Sequence, residues 1–449
     1  MLLKNRDAII RNGVNNDFKK MRGDLLEILE SALNAVEPYK AVKKIFHDDV
    51  IKIDGDSINV SDFENVFVVG FGKASVGMTQ AFCDSVDVEK GVCVTNDPVN
   101  KVTCENVTTY VASHPIPDEK SIRAAEKVVD MVECCQKDDV LFVLISGGGS
   151  ALLCKPRIDL ADMQLATDLL LKCGADINEI NTIRKHLSFV KGGQLVKNVK
   201  CRVVSLVISD IIGDPLEFIA SGPTSPDTTS FVDAEKILKK YDLWESVPDD
   251  VRKIIDSGVK GLNAETPKPD DPVFEHVTNF VIANNSLACK RAVDKADFLG
   301  YKTMLLTASL NGDAVEMGRY LIQRVKAYQK QKDEEAVVFV AGGETTVLVK
   351  GSGQGGRNQE MVLGCIDQLD SENIVFASFA TDGRDGKSVA AGAIADGNSK
   401  KRAKDKQLDI SCFLENNDSY NFFRLLDDLI VTGPTGTNVM DIQVIIKKW

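Results

Sequence analysis

The amino-acid sequence predicts an α/β protein with largely parallel sheets and at least two domains, on three observations. Short β-branched runs alternate with longer amphipathic stretches along almost the whole chain, the pattern of strands followed by covering helices. The most apolar run, Val140 to Ile145 (VLFVLI), shows no polar alternation, as expected of a strand buried on both faces. The third is length: 449 residues exceed what one ordinary core holds.

The strand candidates, in order, are 66–70, 140–145, 203–208, 279–283, 337–341, 345–349 and 374–380. Each is a short β-branched or aromatic run bounded by turn residues. Helical periodicity marks 119–135, 159–173 and 313–330. TTVLVK, 345–350, alternates apolar and polar residues, which reads as an edge or antiparallel strand. The stretch SGVKGLNAETPKPDDP, 257–272, has the most loop-like composition. A domain boundary is therefore expected there, giving domains 1–265 and 266–449.

The net charge of −12 argues against non-specific binding to nucleic acid or to an anionic membrane. An anionic substrate then needs a local cluster of cations and backbone N–H groups. Eleven cysteines without any C-x-x-C spacing favour a reducing compartment, with most thiols acting as small core residues. No apolar run approaches the length of a membrane span. Residues 1–22 are basic, which admits a mitochondrial transit peptide, but Asp7, Asp17 and the lack of serine favour the cytoplasm.

Five glycine turns follow strand candidates, where open α/β sheets bind ligands. GFGKAS, 70–75, opens a helix with Gly70, Gly72 and a mobile cation, Lys73. SGGGSALL, 146–153, sets Gly147, Gly148, Gly149 and Ser150 where backbone N–H groups can meet a phosphate. It lacks the G-x-S-x-G elbow of a serine nucleophile. The long loop from Ser209 to Asp227 begins with Asp210, placed to accept a hydroxyl proton or orient a metal. GGET (342–345) with GSGQGGRNQE (351–360), and ATDGRDG (380–386), complete the set. His186, within NTIRKHLSFV, reads as an ordinary helical histidine, and His114 as a loop hydrogen-bonding group.

Gly351, Gly353 and Gly356 fit G-x-G-x-x-G, and Asp382 lies 26 residues beyond Gly356, near where a ribose-binding acid would sit. A dinucleotide reading therefore competes. Arg357, however, stands at the start of the expected helix, next to its positive pole, which is unfavourable by ~0.3–1 kcal/mol without an anion. Arginine pairs with phosphate bidentately. Gly355, Gly356 and Arg357 thus lean toward phosphate handling.

Taken together and in order, GFGKAS, SHPIPDE (113–119), LISGGGSALL, INTIRKHLSFVKGGQL (180–195), SD…IASGPTSPD, GGETTV, GGRNQE, ATDGRDG and NDSYNFF…DLIVTGPTGTNVMDI make the chain resemble the class II glycerate kinases, from about residue 24 to the C-terminus. The resemblance implies two three-layer α/β/α domains, the first Rossmann-like with a mainly parallel sheet and the second, the MOFRL domain, with a mixed sheet. It implies transfer of the γ-phosphate of ATP to D-glycerate with Mg²⁺ in a cleft between the domains. Lys73 and Arg357 match the positions most often assigned to catalysis in that family. Asp210 is the expected hydroxyl base or metal-orienting group, with Glu344 and Asp382 as rival, substrate-binding carboxylates; the metal ligands stay unassigned. Lys387–Val389 and Ile211–Ile212 depart from the family pattern, the first where an acidic residue is often found. The alternatives are an NAD(P)-dependent hydroxypyruvate reductase and a non-catalytic nucleotide-binding protein. A monomer and a homodimer are equally compatible with the sequence.

Overall fold

The computed structural model describes residues 2–53, 55–332 and 334–449, which pack as two units: 38–282, and 1–37 together with 283–449.

In the 38–282 unit a small antiparallel meander, β1 (Phe46–His47), β2 (Val50–Ile53) and β3 (Asp56–Asn59), precedes the main sheet. The main sheet contains β4 (Val66–Phe71), β5 (Lys90–Thr95), β6 (Val107–Val111), β7 (Val140–Ile145), β8 (Arg202–Ile208) and β9 (Val277–Ala283), in the order β6-β5-β4-β7-β8-β9. The four pairings from β6 to β8 are parallel. β4 and β7 are buried along their whole length, as the unbroken apolar runs predict. Alternate residues serve opposite faces. Phe67, Val69, Leu141, Val143 and Val203 meet the helix Glu119–Cys134 through Ala124, Ala125 and Val128. Phe142 instead packs against Phe82 of the helix Ser75–Cys83, ring centroids 4.6 Å apart. The helix Glu119–Cys134 starts where Asp118 accepts from the N–H groups of Lys120 and Ser121 while Ser121 answers to Asp118, a reciprocal cap.

The second unit has a mixed sheet, as expected. Its strands are β10 (Lys302–Leu310), β11 (Ala336–Gly343), β12 (Ile374–Ala380), β13 (Gly392–Asp396), β14 (Leu429–Ile430) and β15 (Asp441–Lys448). They run in the order β10-β11-β15-β12-β13-β14, with β10 and β11 parallel and every other pair antiparallel. β15 lies centrally, so that Asp441 at its start is level with Gly343 at the end of β11 and Ala380 at the end of β12.

Two sequence expectations need correction. The stretch 345–350 is not a strand. Thr346 exchanges backbone hydrogen bonds with Gly312 and Ala314, and Leu348 and Val349 stand exposed. Its alternation has no partner strand to serve. The division of the chain also differs from 265/266. The proline-rich stretch is bound into the 38–282 unit, where the Asp227 N–H donates to the Pro267 carbonyl and Thr266 Oγ1 to Asp227 Oδ2, and β9 then extends the same sheet.

Residues up to 37 belong to the second unit through the buried apolar face of the helix Asn16–Ala35, which includes Leu25, Leu26, Ile28 and Leu29, and through one buried ion-pair set. Arg22, on the helix Asn16–Ala35, is fully buried and binds Asp396 and Asp428, each at 2.7 Å, and the Ile9 carbonyl at 3.1 Å. The basic stretch noted in the sequence is thus partly structural. Removing one partner of such a buried set strands the others' charge. Arg22→Ala is expected to lower the unfolding free energy of this unit by about 3–5 kcal/mol, read from denaturant unfolding of the intact chain.

Candidate active site

In the 38–282 unit the ends of β4, β7 and β8 bring three of the predicted turns together. Gly72 (φ +122°) crosses Ser146 so closely that a Cβ there would overlap the serine side chain. The crossing is bonded on both sides: Lys73 N–H donates to the Gly147 carbonyl at 2.9 Å, and Ala74 N–H to Ser146 Oγ at 3.1 Å. Gly147 leaves its Cβ position to the carboxylate of Asp210, which would collide with any side chain there. Gly148, at φ +84°, is flanked by the His114 ring and the Lys73 stem; a Cβ would lie 3.0 Å from His114 Cδ2 and 3.2 Å from Lys73 Cγ. Lys73, Gly147, Gly148 and Asp210 are therefore neighbours, as the sequence reading required, and His114 joins them.

The turns do not all present free donors. Gly70 lies inside β4 against Thr79, and the N–H groups of Gly72 and Lys73 are spent on Val94 and Gly147. These glycines serve close packing rather than the phosphate contacts expected of a helix-opening turn. The N–H groups of Gly147 and Gly148 make no hydrogen bond among the described residues. Gly149 begins the short helix Gly149–Leu152 against Ala220, where a Cβ would sit 2.7 Å from the alanine Cβ. Ser150 Oγ lies 2.7 Å from Ser221 Oγ.

Charge is arranged to match. Lys73 is exposed, without an ion pair among the described residues. Burial pushes the Asp210 carboxyl above its ordinary range, and the Lys73 ammonium opposes that rise. Burial and the same ammonium pull His114 down, which favours its neutral form.

In the second unit, Arg357 opens the helix Arg357–Leu363 after an extended Gly356. Its guanidinium is held by Asp441 (Nε–Oδ2 2.5 Å, NH2–Oδ1 3.0 Å) and by Glu344 (NH1–Oε1 2.7 Å). Burial disfavours the cation, but the Asp441 bonds and the charges of Asp441 and Glu344 outweigh it, so the pKa rises further. The anion at this helix start is Asp385. It accepts from the N–H groups of Asn358 (3.1 Å) and Gln359 (2.9 Å) and from both side-chain amides. Gly356 is glycine because Asp385 occupies its Cβ position, and Gly355 because Ser419 does. Gly351 and Gly353 press on Asn416 and Asp418. All four glycines thus pack against this chain's own residues. Glu344 is tied to Arg357, and Asp382 Oδ1 caps its own turn at the Arg384 N–H.

Sequence reasoning missed Ser146, Asp385 and Asp441, whose partners are 25 or more residues distant. It read His186 correctly as a helical residue of structural kind: buried, it contacts the Thr182 carbonyl at 2.8 Å and Glu265 at 3.2 Å.

Comparison with known proteins decides the family. A model described as a domain of unknown function, DUF4147, matches residues 24–256, and the MOFRL family model matches 337–441. The chain is 42% identical to Glycerate 2-kinase of Pyrococcus horikoshii, over 94% of this chain and 96% of that one. It is 37% identical to D-glycerate 2-kinase of Thermotoga maritima, over 95% and 99%. The chain belongs to the glycerate kinase family. The crystal structure of glycerate kinase from Thermotoga maritima superposes with a TM-score of 0.85 at 35% identity, covering 96% of this chain and 100% of that one. The MOFRL match begins and ends inside the mixed-sheet unit, and the DUF4147 match covers most of the parallel one.

Asp385 generates a pH prediction. Burial, reinforced by Asp441, raises its carboxyl from 3.8 to about 6, against the four N–H donors. The folded protein then holds a proton that the unfolded chain has released, and this contribution to stability is full below about pH 4 and lost as pH rises through about 6. Asp385→Asn is expected to flatten that part of the stability–pH curve, read from urea midpoints between pH 4 and 7.

Proposed function

We propose that this chain transfers the γ-phosphate of ATP to the 2-hydroxyl of D-glycerate. The names carried by the archaeal and bacterial relatives support the acceptor and the position. The observation that carries the reading is the cluster at the ends of β4, β7 and β8: an exposed ammonium, two free N–H groups and a half-buried carboxylate within one set of turns.

Phosphoryl transfer asks a protein mainly for position and charge stabilisation. Gly147 and Gly148 supply N–H donors to phosphate oxygens, and Ser150 a hydroxyl. Lys73 neutralises charge on the transferring group. Asp210, its carboxyl raised by burial, accepts the proton of the attacking hydroxyl. Arg357, held by Asp441 and Glu344, is the second proposed cation; Glu344 and Asp382 keep the role of substrate-side carboxylates.

Mg²⁺ is bound in kinases through one or two carboxylates together with the substrate's phosphates rather than in an all-protein cage. Among the described residues no group of three His, Cys, Asp or Glu side chains is arranged to hold a metal. Asp210, which forms no ion pair among the described residues, fits the single-carboxylate mode as the alternative to its role as hydroxyl base. Bound with nucleotide, the ion would spread the phosphate charge.

All eleven cysteines are free, and no helix among the described residues is long and apolar enough to cross a membrane. The free thiols support a reducing compartment, and we place the enzyme in the cytoplasm.

Incubation with D-glycerate and Mg·ATP, followed by phosphorus NMR, is expected to show 2-phosphoglycerate. NADH oxidation by hydroxypyruvate without ATP, and no phosphoglycerate, would reverse the reading. Lys73→Ala is expected to lower kcat by 100-fold or more, roughly 3 kcal/mol, with an unchanged thermal midpoint. Arg357→Ala should lose activity and also stability, because buried Asp441 is left unpaired. Near-normal turnover in either variant removes that residue from the mechanism.

A further inference from the structure

Three lysine or arginine side chains are buried among the described residues: Arg22, Lys185 and Lys191. Arg22 is neutralised by Asp396 and Asp428, and Lys185 by Asp227 and Glu217, each at 3.3 Å. Lys191 has no carboxylate. Its Nζ donates to the carbonyls of Ser150 at 2.7 Å and Leu153 at 3.1 Å. Arg184, on the helix Ile177–His186, donates one NH2 to the same Ser150 carbonyl at 3.3 Å. Its Nε and NH1 have no partner, and it forms no ion pair, among the described residues. Two cations therefore converge on one carbonyl of the SGGGS turn without an acid to balance them.

A buried cation without a counter-ion is costly. This chain has 66 acidic residues against 54 basic ones, and it pairs its other two buried cations internally. Arg184 and Lys191 are left without a balancing acid among the described residues. Ser150 Oγ lies 2.7 Å from Ser221 Oγ, and either hydroxyl can donate there; when Ser221 turns its proton to Ser150 and releases its 3.3 Å bond to Asn181 Oδ1, the Ser150 proton is free for an anion.

We propose that Arg184 and the Ser150 hydroxyl form an oxyanion subsite, with Lys191 as the positioning residue that holds the Ser150 carbonyl and adds the second charge. The ligand is an anionic oxygen group, either a nucleotide phosphate or the glycerate carboxylate. That choice of ligands rests on the kinase reading; the subsite itself does not. The titratable or charged groups facing Lys191 are Arg184 and the Cys154 thiol. Burial and Arg184 pull its ammonium down to about 7. An arriving anion restores the charged form, so binding takes up a proton above that pH.

The test is calorimetric titration of the full chain with inorganic phosphate, ADP and D-glycerate, in wild type, Arg184→Gln, Lys191→Met and Lys191→Arg. Arg184→Gln is expected to weaken phosphate and one of the two substrates by about tenfold or more. Loss for ADP assigns the subsite to nucleotide phosphate, and loss for D-glycerate assigns it to the carboxylate. Titrations at pH 8 in buffers of different ionisation enthalpy should show proton uptake in wild type. Lys191→Arg should keep the affinity and lose the uptake. Unchanged affinity for all three probes in Arg184→Gln overturns the proposal, and this half-buried position decides the matter if Lys191→Met does not fold. Weakened phosphate binding in Arg184→Gln, alongside no phosphoglycerate formation by the wild-type chain, would sink the kinase reading and keep the subsite.

Discussion

The candidate site depends on a shortage of room where three strand ends meet. β4, β7 and β8 are parallel neighbours, so their carboxyl ends emerge side by side. At that edge Gly72 crosses Ser146 and Gly147 crosses Asp210 at distances that admit no Cβ. Close approach brings an ammonium, a carboxylate and two unspent N–H groups into one set of turns. A methyl group at Gly147 would push Asp210 away, and the site would lose its carboxylate. The sheet supplies rigidity for this arrangement, being buried on both faces through β4 and β7.

The two units differ in how many of their cations they pair. In the mixed-sheet unit the charges are closed internally: Arg22 on Asp396 and Asp428, Arg357 on Asp441 and Glu344, and the helix start at Asn358 on Asp385. In the parallel unit Lys185 is closed in the same manner, whereas Lys73, Arg184 and Lys191 have no acid within ion-pair distance among the described residues. Three cations left open around a glycine turn in an acidic protein are the observation behind the proposed oxyanion subsite. The net charge of −12 then disfavours non-specific anion binding without weakening this place.

How much of this was legible in the sequence depended on whether the signal was local. The buried parallel strands, the helix starting at Asp118 and the glycine turns after strands were readable because each is written within a few residues. Lys73, Gly147 and Asp210 could be named one by one, since a glycine turn or an acid at a strand mouth is a local pattern. Their convergence needed the strand order β4-β7-β8. The failures share the opposite property. TTVLVK alternates correctly but has no partner strand. Residues up to 37 join the far end of the chain through an apolar helix face and through Arg22, whose two acids lie 374 and 406 positions away. Asp385 at the start of the Arg357 helix was invisible for the same reason.

The G-x-G-x-x-G spacing at Gly351, Gly353 and Gly356 shows why a glycine count does not identify a ligand. In a dinucleotide turn these residues open the backbone to a pyrophosphate. Here each of them makes room for a residue of the same chain: Asn416, Asp418 and Asp385. The amides that a pyrophosphate would need are already taken by the Asp385 carboxylate. Spacing reports only that something approaches closely. Whether that something is protein or substrate is read from hydrogen bonds and charge, and among the described residues the turn after β7 keeps two amides unspent and its cations unbalanced, which is why the proposed ligand is placed there.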